Sequence, residues 1–171
     1  MGRCSLHRQD GQTPAQCDDI TWTREAPTCK VRGADGYAYE PCWLNPRTAV
    51  ARGIKNGDIV KVFNERGAVL GGAYVTERMM PGVVYMDHGA RVDWIVPGEL
   101  DRGGAINLIA PEGIVSKHCP GMATTSYLVD VARVAAPQME AWRQQYPEAF
   151  NRDYDPASGL RFDAWIEEGM E

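Results

Sequence analysis

The sequence contains neither an apolar run long enough to cross a membrane nor a basic run that could hold nucleic acid. About 20 consecutive apolar residues span a bilayer, and no such stretch occurs among the 171 residues. The formal net charge is -5, which disfavours nucleic acid because its phosphates would find no basic surface. A phosphate-bearing cofactor is still compatible, since backbone amides bind phosphate without basic side chains.

Paired cysteines are also missing. The five cysteines include no CxxC pair, whereas zinc sites usually need two close pairs of ligands. We therefore expect free thiols in a reducing compartment and no metal ligand in this chain. The first residues contain no apolar h-region, so no signal peptide is predicted. The sequence favours a cytoplasmic location, and a periplasmic one would require an export signal upstream of Met1.

The familiar catalytic signatures are absent as well. The sequence contains no GxSxG motif, no Walker-type loop and no GxGxxG fingerprint, which mark serine hydrolases, NTPases and Rossmann domains. Its three histidines lie far apart along the chain. We therefore predict no catalytic residue in this chain.

What the sequence does contain is dense β patterning between residues 41 and 136, interrupted by one short helix. Asn45 followed by Pro46 predicts the helix start, because asparagine caps the first turn and proline fits its first position. The helix is expected to run through Ala51 and to end before Gly53, which can adopt a positive φ.

Two strands follow this helix. Ile59–Asn64 is predicted to place Val60 and Val62 on one face, and Ala68–Val75 is the returning strand. The pair Gly71-Gly72 indicates a bulge, a bend or a close backbone approach. Further short apolar segments lie at 83–86, 106–109 and 128–134. Short strands with frequent turn signals predict a small, mainly β barrel.

The last part of the chain, residues 137–171, is predicted to be a helical extension of a first domain at 1–136. Apolar residues at Met139, Trp142 and Tyr146 have helical spacing, and a second short helix is expected at 162–167. Because Trp142 and Trp165 are large apolar residues in a polar segment, we hypothesise that they dock this extension on a parent enzyme.

A few polar residues are candidates for ligand binding. His7 lies near the N-terminus, and His88-Gly89 follows a strand, where glycine lets the backbone approach a ligand closely. Asn107 lies within an apolar run, where a buried amide must find partners. The polar loop 116–122 includes Lys117 and Met122. Taken singly, each of these is better explained as an ordinary structural residue.

Their order along the chain, however, resembles a known family. The matching runs are Trp43–Ala49, Arg52–Val62, Asn64–Gly67, Ala73–Glu77, Pro81–Val84, His88-Gly89, Asn107-Leu108 and Val129–Val131. Together they resemble the molybdopterin-dinucleotide-binding domain of the dimethyl-sulfoxide-reductase family, over about residues 1–134. Within that family, the runs at 36–39 and 58–70 are most similar to the pyrogallol–phloroglucinol transhydroxylase large subunit group.

The resemblance implies a six-stranded double-psi β-barrel that closes over a bis(pyranopterin guanine dinucleotide) cofactor carrying molybdenum or tungsten. It implies a parent reaction of two-electron oxygen-atom or hydroxyl transfer, with phenols as candidate substrates, and no turnover by this chain alone. The implied partners are the remaining domains of the catalytic subunit, and an iron–sulfur subunit is a further candidate. With the candidates above, the predicted cofactor-binding residues are His7, His88, Gly89, Asn107, Lys117, Met122, Ser126 and Tyr127.

The sequence departs from the family pattern at several positions. Tyr127 stands where other members place a basic residue, and Thr48 stands where aspartate is common. The family domain usually begins with a strand before the motif at Arg3, so we expect the first strand to be missing and the chain to be a fragment or a split subunit.

Two other classes of function are compatible with a small barrel. One is a non-catalytic double-psi module that binds peptide or protein, which would not need Asn107 or His88-Gly89. The other is a self-processing decarboxylase barrel. That enzyme needs a Gly-Ser step, and the sequence contains none.

Overall fold

The computed structural model describes residues 30–111, 114–116, 118–122 and 127–152. The elements, in chain order, are β1 (Val31–Arg32), β2 (Ala38–Tyr39), β3 (Pro41–Leu44), α1 (Pro46–Ala51), β4 (Ile59–Asn64), β5 (Gly67–Val75), β6 (Val84–Tyr85), β7 (Trp94–Val96), β8 (Leu100–Asp101), a 3₁₀ helix (Ile106–Leu108), β9 (Ile114–Ser116), β10 (Cys119–Met122), β11 (Asp130–Arg133), α2 (Ala136–Gln145) and α3 (Pro147–Phe150). The predicted mainly β class is confirmed. None of the helices in these ranges is long and apolar enough to cross a membrane.

Strand β5 lies at the centre of the main sheet. β4 pairs with it antiparallel along one edge. The other edge is shared by two parallel strands, with β8 beside Ala68 and Val69 and β3 beside Gly72–Val75. β11 extends the sheet beyond β4, β6 beyond β3, and β7 beyond β8. Among the described strands this sheet stays open, so the closed six-stranded double-psi barrel remains a prediction.

Helix α1 forms as the sequence predicts. The Asn45 side-chain oxygen accepts the Arg47 backbone N–H at 2.8 Å, and Pro46 occupies the first helical turn. Gly53 follows the helix with a φ of 63°. The Asn45 amide also donates to the Met79 carbonyl at 2.7 Å, so the same residue starts the helix and fixes the loop beside it.

The hairpin of β4 and β5 is buried on both faces, because successive side chains of a strand point to opposite sides. Val60 and Val62 belong to a first cluster, the hairpin core, which also contains Leu44, Val69 and Ile109. On the other face lies a second cluster, composed of Tyr39, Ile59, Leu70, Ile95, Leu100, Val134 and Met139. The predicted shared face of Val60 and Val62 is therefore confirmed.

The pair Gly71-Gly72 marks a close backbone approach and not a bulge, since the register of β4 and β5 is unbroken there. A Cβ atom on Gly72 would lie 2.3 Å from Cβ of Val31. The Gly72 N–H donates to the Glu40 carbonyl at 2.8 Å. A side chain at this position would therefore push β1 away from β5.

The prediction of a polar loop at 116–122 is wrong, because Ser116 ends β9 and Cys119–Met122 form β10. β9 and β10 form an antiparallel pair, with Cys119 opposite Ser116 and Met122 opposite Ile114. The register shifts between these two pairs. The intervening Pro120-Gly121 explains the error, because proline and glycine usually indicate a turn but are tolerated at irregular strand pairs.

The predicted amphipathic helix after residue 136 is confirmed as α2. Met139 is buried in the second cluster, and Trp142 and Tyr146 pack against it. Trp142 therefore packs on its own chain, where it is half-buried, and its docking on a parent enzyme stays a prediction. Trp165 and the helix expected at 162–167 lie outside the described residues.

Candidate functional site

The structure places some of the predicted binding residues and leaves others undescribed. His7, Lys117 and Ser126 lie outside the described residues. Met122 ends β10, where its backbone pairs with that of Ile114.

His88 and Gly89 lie on the loop between β6 and β7, and both are exposed. Gly89 has a φ of 98°, a conformation that most side chains disfavour. The loop is anchored at its start, since Met86 is buried in the hairpin core and the Tyr85 hydroxyl donates to the Asp87 carboxylate at 2.6 Å. His88 and Gly89 are therefore exposed to solvent on a loop whose first residues are fixed.

Asn107 lies in the 3₁₀ helix, and its side chain is exposed. The expectation that its amide is buried is wrong. A 3₁₀ helix has three residues per turn, so Ile106 and Ile109 fall on the same side, where both are buried. Asn107 consequently faces outward, and its amide can reach a ligand.

Tyr127 is half-buried and packs against the hairpin core. Burial raises the pKa of its phenol, and the positive charge of Arg66 acts in the opposite direction. A cation therefore does lie near this tyrosine, although it comes from the β4–β5 turn and not from residue 127 itself.

The β4–β5 turn joins the Asn107 and Tyr127 segments. The Asn64 side-chain amide donates to the Ile109 carbonyl at 2.8 Å and to the Leu128 carbonyl at 3.4 Å. Arg66 Nε also donates to the Ile109 carbonyl, at 3.1 Å. The sequence contained a signal for this role, since Asn64 and Arg66 belong to one of the family-like motifs. The motif alone did not indicate which backbone groups these two side chains bind.

A buried carboxylate joins the His88 loop to the segment that leads to Asn107. Asp101 is fully buried, and its two oxygens accept the backbone N–H of Asp93 at 2.6 Å and of Ala105 at 2.7 Å. Burial raises the pKa of Asp101, and the backbone N–H donors oppose that rise. No sequence pattern indicates the role of Asp101, because a single aspartate at the end of a short strand carries no recognisable signature.

A second buried acid, Glu40, lies beside the same two segments. Its carboxylate forms an ion pair with Lys30 at 3.0 Å, and both side chains are about nine-tenths buried. Burial raises the pKa of Glu40, the Lys30 charge opposes this, and Asp87 adds to it. A Cβ atom on Gly104 would lie 2.7 Å from Cγ of Glu40, so a glycine is needed where the two segments meet.

These groups suit an organic cofactor better than a bare metal ion. The exposed Asn107 amide both donates and accepts hydrogen bonds, as the edge of a heterocycle requires, and Gly89 permits a close backbone approach. Among the described residues no three His, Cys, Asp or Glu side chains are grouped to hold a metal.

An open depression of about 410 Å³ lies on the outer face of α1, against Pro46, Arg47, Val50 and Ala51. It contains none of the predicted binding residues. Cofactor sites are usually concave enough to bury most of the ligand, and this depression is not.

Comparison with known proteins identifies the family to which this chain belongs. The sequence profile of the family described as "Molydopterin dinucleotide binding domain" matches residues 19–123. The chain is 39% identical over 102 residues to the pyrogallol hydroxytransferase large subunit of Pelobacter acidigallici, covering 58% of this chain and 12% of that protein. It is also 39% identical over 100 residues to a dimethyl sulfoxide/trimethylamine N-oxide reductase of Cereibacter sphaeroides, covering 57% of this chain and 12% of that enzyme.

A longer match is to trimethylamine-N-oxide reductase 1 of Escherichia coli O157:H7, at 35% identity over 127 residues, or 71% of this chain and 15% of that enzyme. The matched region is thus a small fraction of each of these relatives. Since the family profile covers more than half of the 171 residues, the chain belongs to the molydopterin dinucleotide binding domain family.

Proposed function

We propose that this chain is the cofactor-binding domain of a molybdenum or tungsten oxidoreductase and closes over a bis(pyranopterin guanine dinucleotide). The observation that carries the proposal is the family match at 19–123, which spans both segments that Asp101 joins. The three relatives named above are a hydroxytransferase and two reductases, which supports oxygen-atom or hydroxyl transfer as the parent reaction.

Within this proposal the described residues bind and orient, and they hold no reacting atom. Asn107 supplies an amide to the edge of a cofactor ring, and Gly89 admits the cofactor close to the backbone, with His88 beside it. Arg66 and Asn64 keep the Asn107 and Tyr127 segments together. When bound, the cofactor supplies two-electron redox chemistry at its metal, and the protein positions and tunes it.

The chain covers 12% to 15% of the length of the relatives named above, so we propose that other domains of a catalytic subunit supply the rest of the site. A closed double-psi barrel over residues 1–136, a cytoplasmic location and an iron–sulfur partner subunit belong to the same proposal. Phenols are the first substrates to test, because one of these relatives is named for pyrogallol.

The decisive experiment is co-expression of the chain with the genes beside its own, followed by metal and pterin analysis of the purified complex. The proposal predicts a larger subunit that carries molybdenum or tungsten together with guanine-dinucleotide pterin. Purification of a folded chain without pterin or partner would contradict it and would favour a peptide-binding module.

A substitution tests the assigned residue within that complex. Asn107→Ala should lower cofactor retention about tenfold, because a hydrogen bond to a buried ligand contributes on the order of 1 kcal/mol or slightly more. The control is Asn56→Ala, since Asn56 is also exposed but bonds the Val75 N–H away from the site. Equal cofactor retention in the two variants would remove Asn107 from the site.

A further inference from the structure

The end of the His88 loop is held by a cluster of charged side chains that the proposed function leaves unexplained. Asp93 is the last residue of the loop before β7, and it is 4% exposed. Its N–H donates to the Asp101 carboxylate at 2.6 Å, and its carbonyl accepts the Arg102 N–H at 2.8 Å. The backbone of Asp93 is therefore fixed on both sides.

The carboxylate of Asp93 is bound as tightly as its backbone. One oxygen accepts the Tyr37 hydroxyl at 3.0 Å and the Arg102 guanidinium at 2.9 Å. The other oxygen accepts Arg152 Nη1 at 2.9 Å. Arg102 and Arg152 are both largely buried, with side chains 4% and 11% exposed. Charge-assisted bonds of this kind, shielded from water, are among the stronger polar contacts in a protein.

Arg152 reaches this cluster from outside the family-matched region. It follows α3, whereas the profile match ends at residue 123. Besides Asp93, Arg152 donates to the Trp94 carbonyl, so it holds both sides of the Asp93–Trp94 junction. The segment that delivers it is itself fastened, because Arg102 donates to the Ala149 carbonyl at 3.1 Å and stacks over Phe150 at 4.7 Å.

We propose that the segment 136–152 is a strap and that Arg152 is its positioning residue for the loop 87–93. The loop is anchored at one end by Met86 in the hairpin core and at the other by Asp93 in this cluster. Its middle also lies against neighbouring backbone, since a Cβ atom on Gly103 would lie 2.0 Å from the Arg91 carbonyl oxygen. The strap therefore determines how rigidly His88 and Gly89 are presented to a cofactor, a role that rests on the proposed function.

Hydrogen exchange on the full chain tests the strap without any cofactor. Arg152→Ala should speed amide exchange at 87–93 about tenfold while leaving β4 and β5 unchanged, because losing a local anchor opens a local segment. Asp93 keeps Arg102 and Tyr37 as partners in this variant, so the fold itself is retained. The matched control is Arg133→Ala, which removes the ion pair of the exposed Arg133 with the half-buried Asp58 at 3.1 Å.

A conservative variant distinguishes a positioning role of Arg152 from a packing role. Arg152→Lys keeps one cation beside Asp93 but lacks the fork that also reaches the Trp94 carbonyl, so loop exchange should fall between the wild-type and Arg152→Ala rates. Unchanged exchange at 87–93 in Arg152→Ala, or equal acceleration throughout the sheet, would overturn the proposal.

A second measurement connects the strap to the site. In the complex purified with its larger subunit, Arg152→Ala should shorten the half-life of cofactor retention several-fold without a matching fall in melting temperature. If the wild-type complex contains no pterin, the proposed function fails and the exchange result still decides whether the strap exists. If pterin is present and its retention is unaffected by Arg152→Ala, the strap does not act on the site.

Discussion

The apolar half and the polar half of this domain are stabilised by different kinds of interaction. In the hairpin core, Val60, Val62 and Val69 exclude water through alternation along two paired strands. Around Asp93 the interior is instead filled by two arginines, two aspartates and a tyrosine that bond one another or the backbone. The first region needs apolar volume, and the second needs a particular partner for each atom.

The difference predicts how each region responds to substitution. Apolar cores accept volume-conserving changes at modest cost. A buried polar network does not, because every unpaired donor or acceptor costs free energy. The His88 loop and the segment that leads to Asn107 are joined by the second kind of region, through Asp101. The hairpin core also holds both segments, because Met86, Ile106 and Ile109 are buried in it.

The largest effect is expected from Gly103→Ala. The new methyl group would lie 2.0 Å from the Arg91 carbonyl oxygen and 2.9 Å from the Asp93 backbone nitrogen. Both are backbone atoms that cannot rotate away, so we expect a loss of about 3 kcal/mol in the free energy of unfolding. Chemical denaturation followed by circular dichroism measures it.

The control is Gly98→Asn at an open turn. Gly98 has a φ of 75°, and nothing lies within 4 Å of its added Cβ. Asparagine tolerates this conformation better than most residues, so the stability should change little. If Gly103→Ala were as stable as this control, the packing of the loop 87–93 against residues 101–104 would be wrong.

The apolar half could be predicted from the sequence because short runs of neighbouring residues specify its elements. Asn45, Pro46 and Gly53 mark the ends of α1, and the alternation in Ile59–Asn64 assigns β4 and its faces. Pairing between distant strands leaves no such signature. The parallel placement of β3 and β8 along one edge of β5 depends on contacts that no short run of residues encodes.

The polar half was only partly predictable. The positions of His88, Gly89 and Asn107 followed from family-like motifs, and the structure adds that all three are exposed. Asp101, Asp93 and Arg152 were missed, because their partners lie up to 59 residues away and an isolated charge in a sequence normally indicates solvent exposure. Asn107 was expected to be buried because its neighbours are apolar, whereas the 3₁₀ helix buries Ile106 and Ile109 and leaves Asn107 exposed.

The second-largest effect is expected from Asp101→Asn. Both oxygens of Asp101 accept backbone N–H groups, and an amide offers only one acceptor. One N–H would then face an NH₂ group in a buried site, so we expect a loss of about 2 kcal/mol in the free energy of unfolding. Thermal and urea unfolding measure the loss, and a loss below that of an exposed aspartate variant would contradict the assigned bonds.

The pH dependence of the same variant gives a separate test. Burial raises the pKa of Asp101 above its ordinary value of 3.8, so the folded state holds this proton at a higher pH than the unfolded chain does. The associated stability is present at low pH and is lost as pH rises through the raised pKa. The difference in stability between wild type and Asp101→Asn should therefore shrink as pH rises from the ordinary pKa of 3.8 through the raised folded pKa.

The smallest effect, and the sharpest contrast, is expected from Asp130→Asn on the exposed edge strand β11. The Val131 N–H and the Arg52 side chain bind the Asp130 carboxylate and lower its pKa below 3.8. A lowered folded pKa contributes stability above the ordinary pKa, and that stability is lost as pH falls through the folded value. The small difference in stability between wild type and Asp130→Asn should therefore vanish on acidification, where the difference for Asp101→Asn grows.

Because exposed ion pairs are screened, added salt should also reduce the Asp130 effect and leave the Asp101 effect intact. Parallel pH profiles for the two variants would show that burial does not separate these carboxylates, and the division of the domain into two kinds of interior would lose its basis.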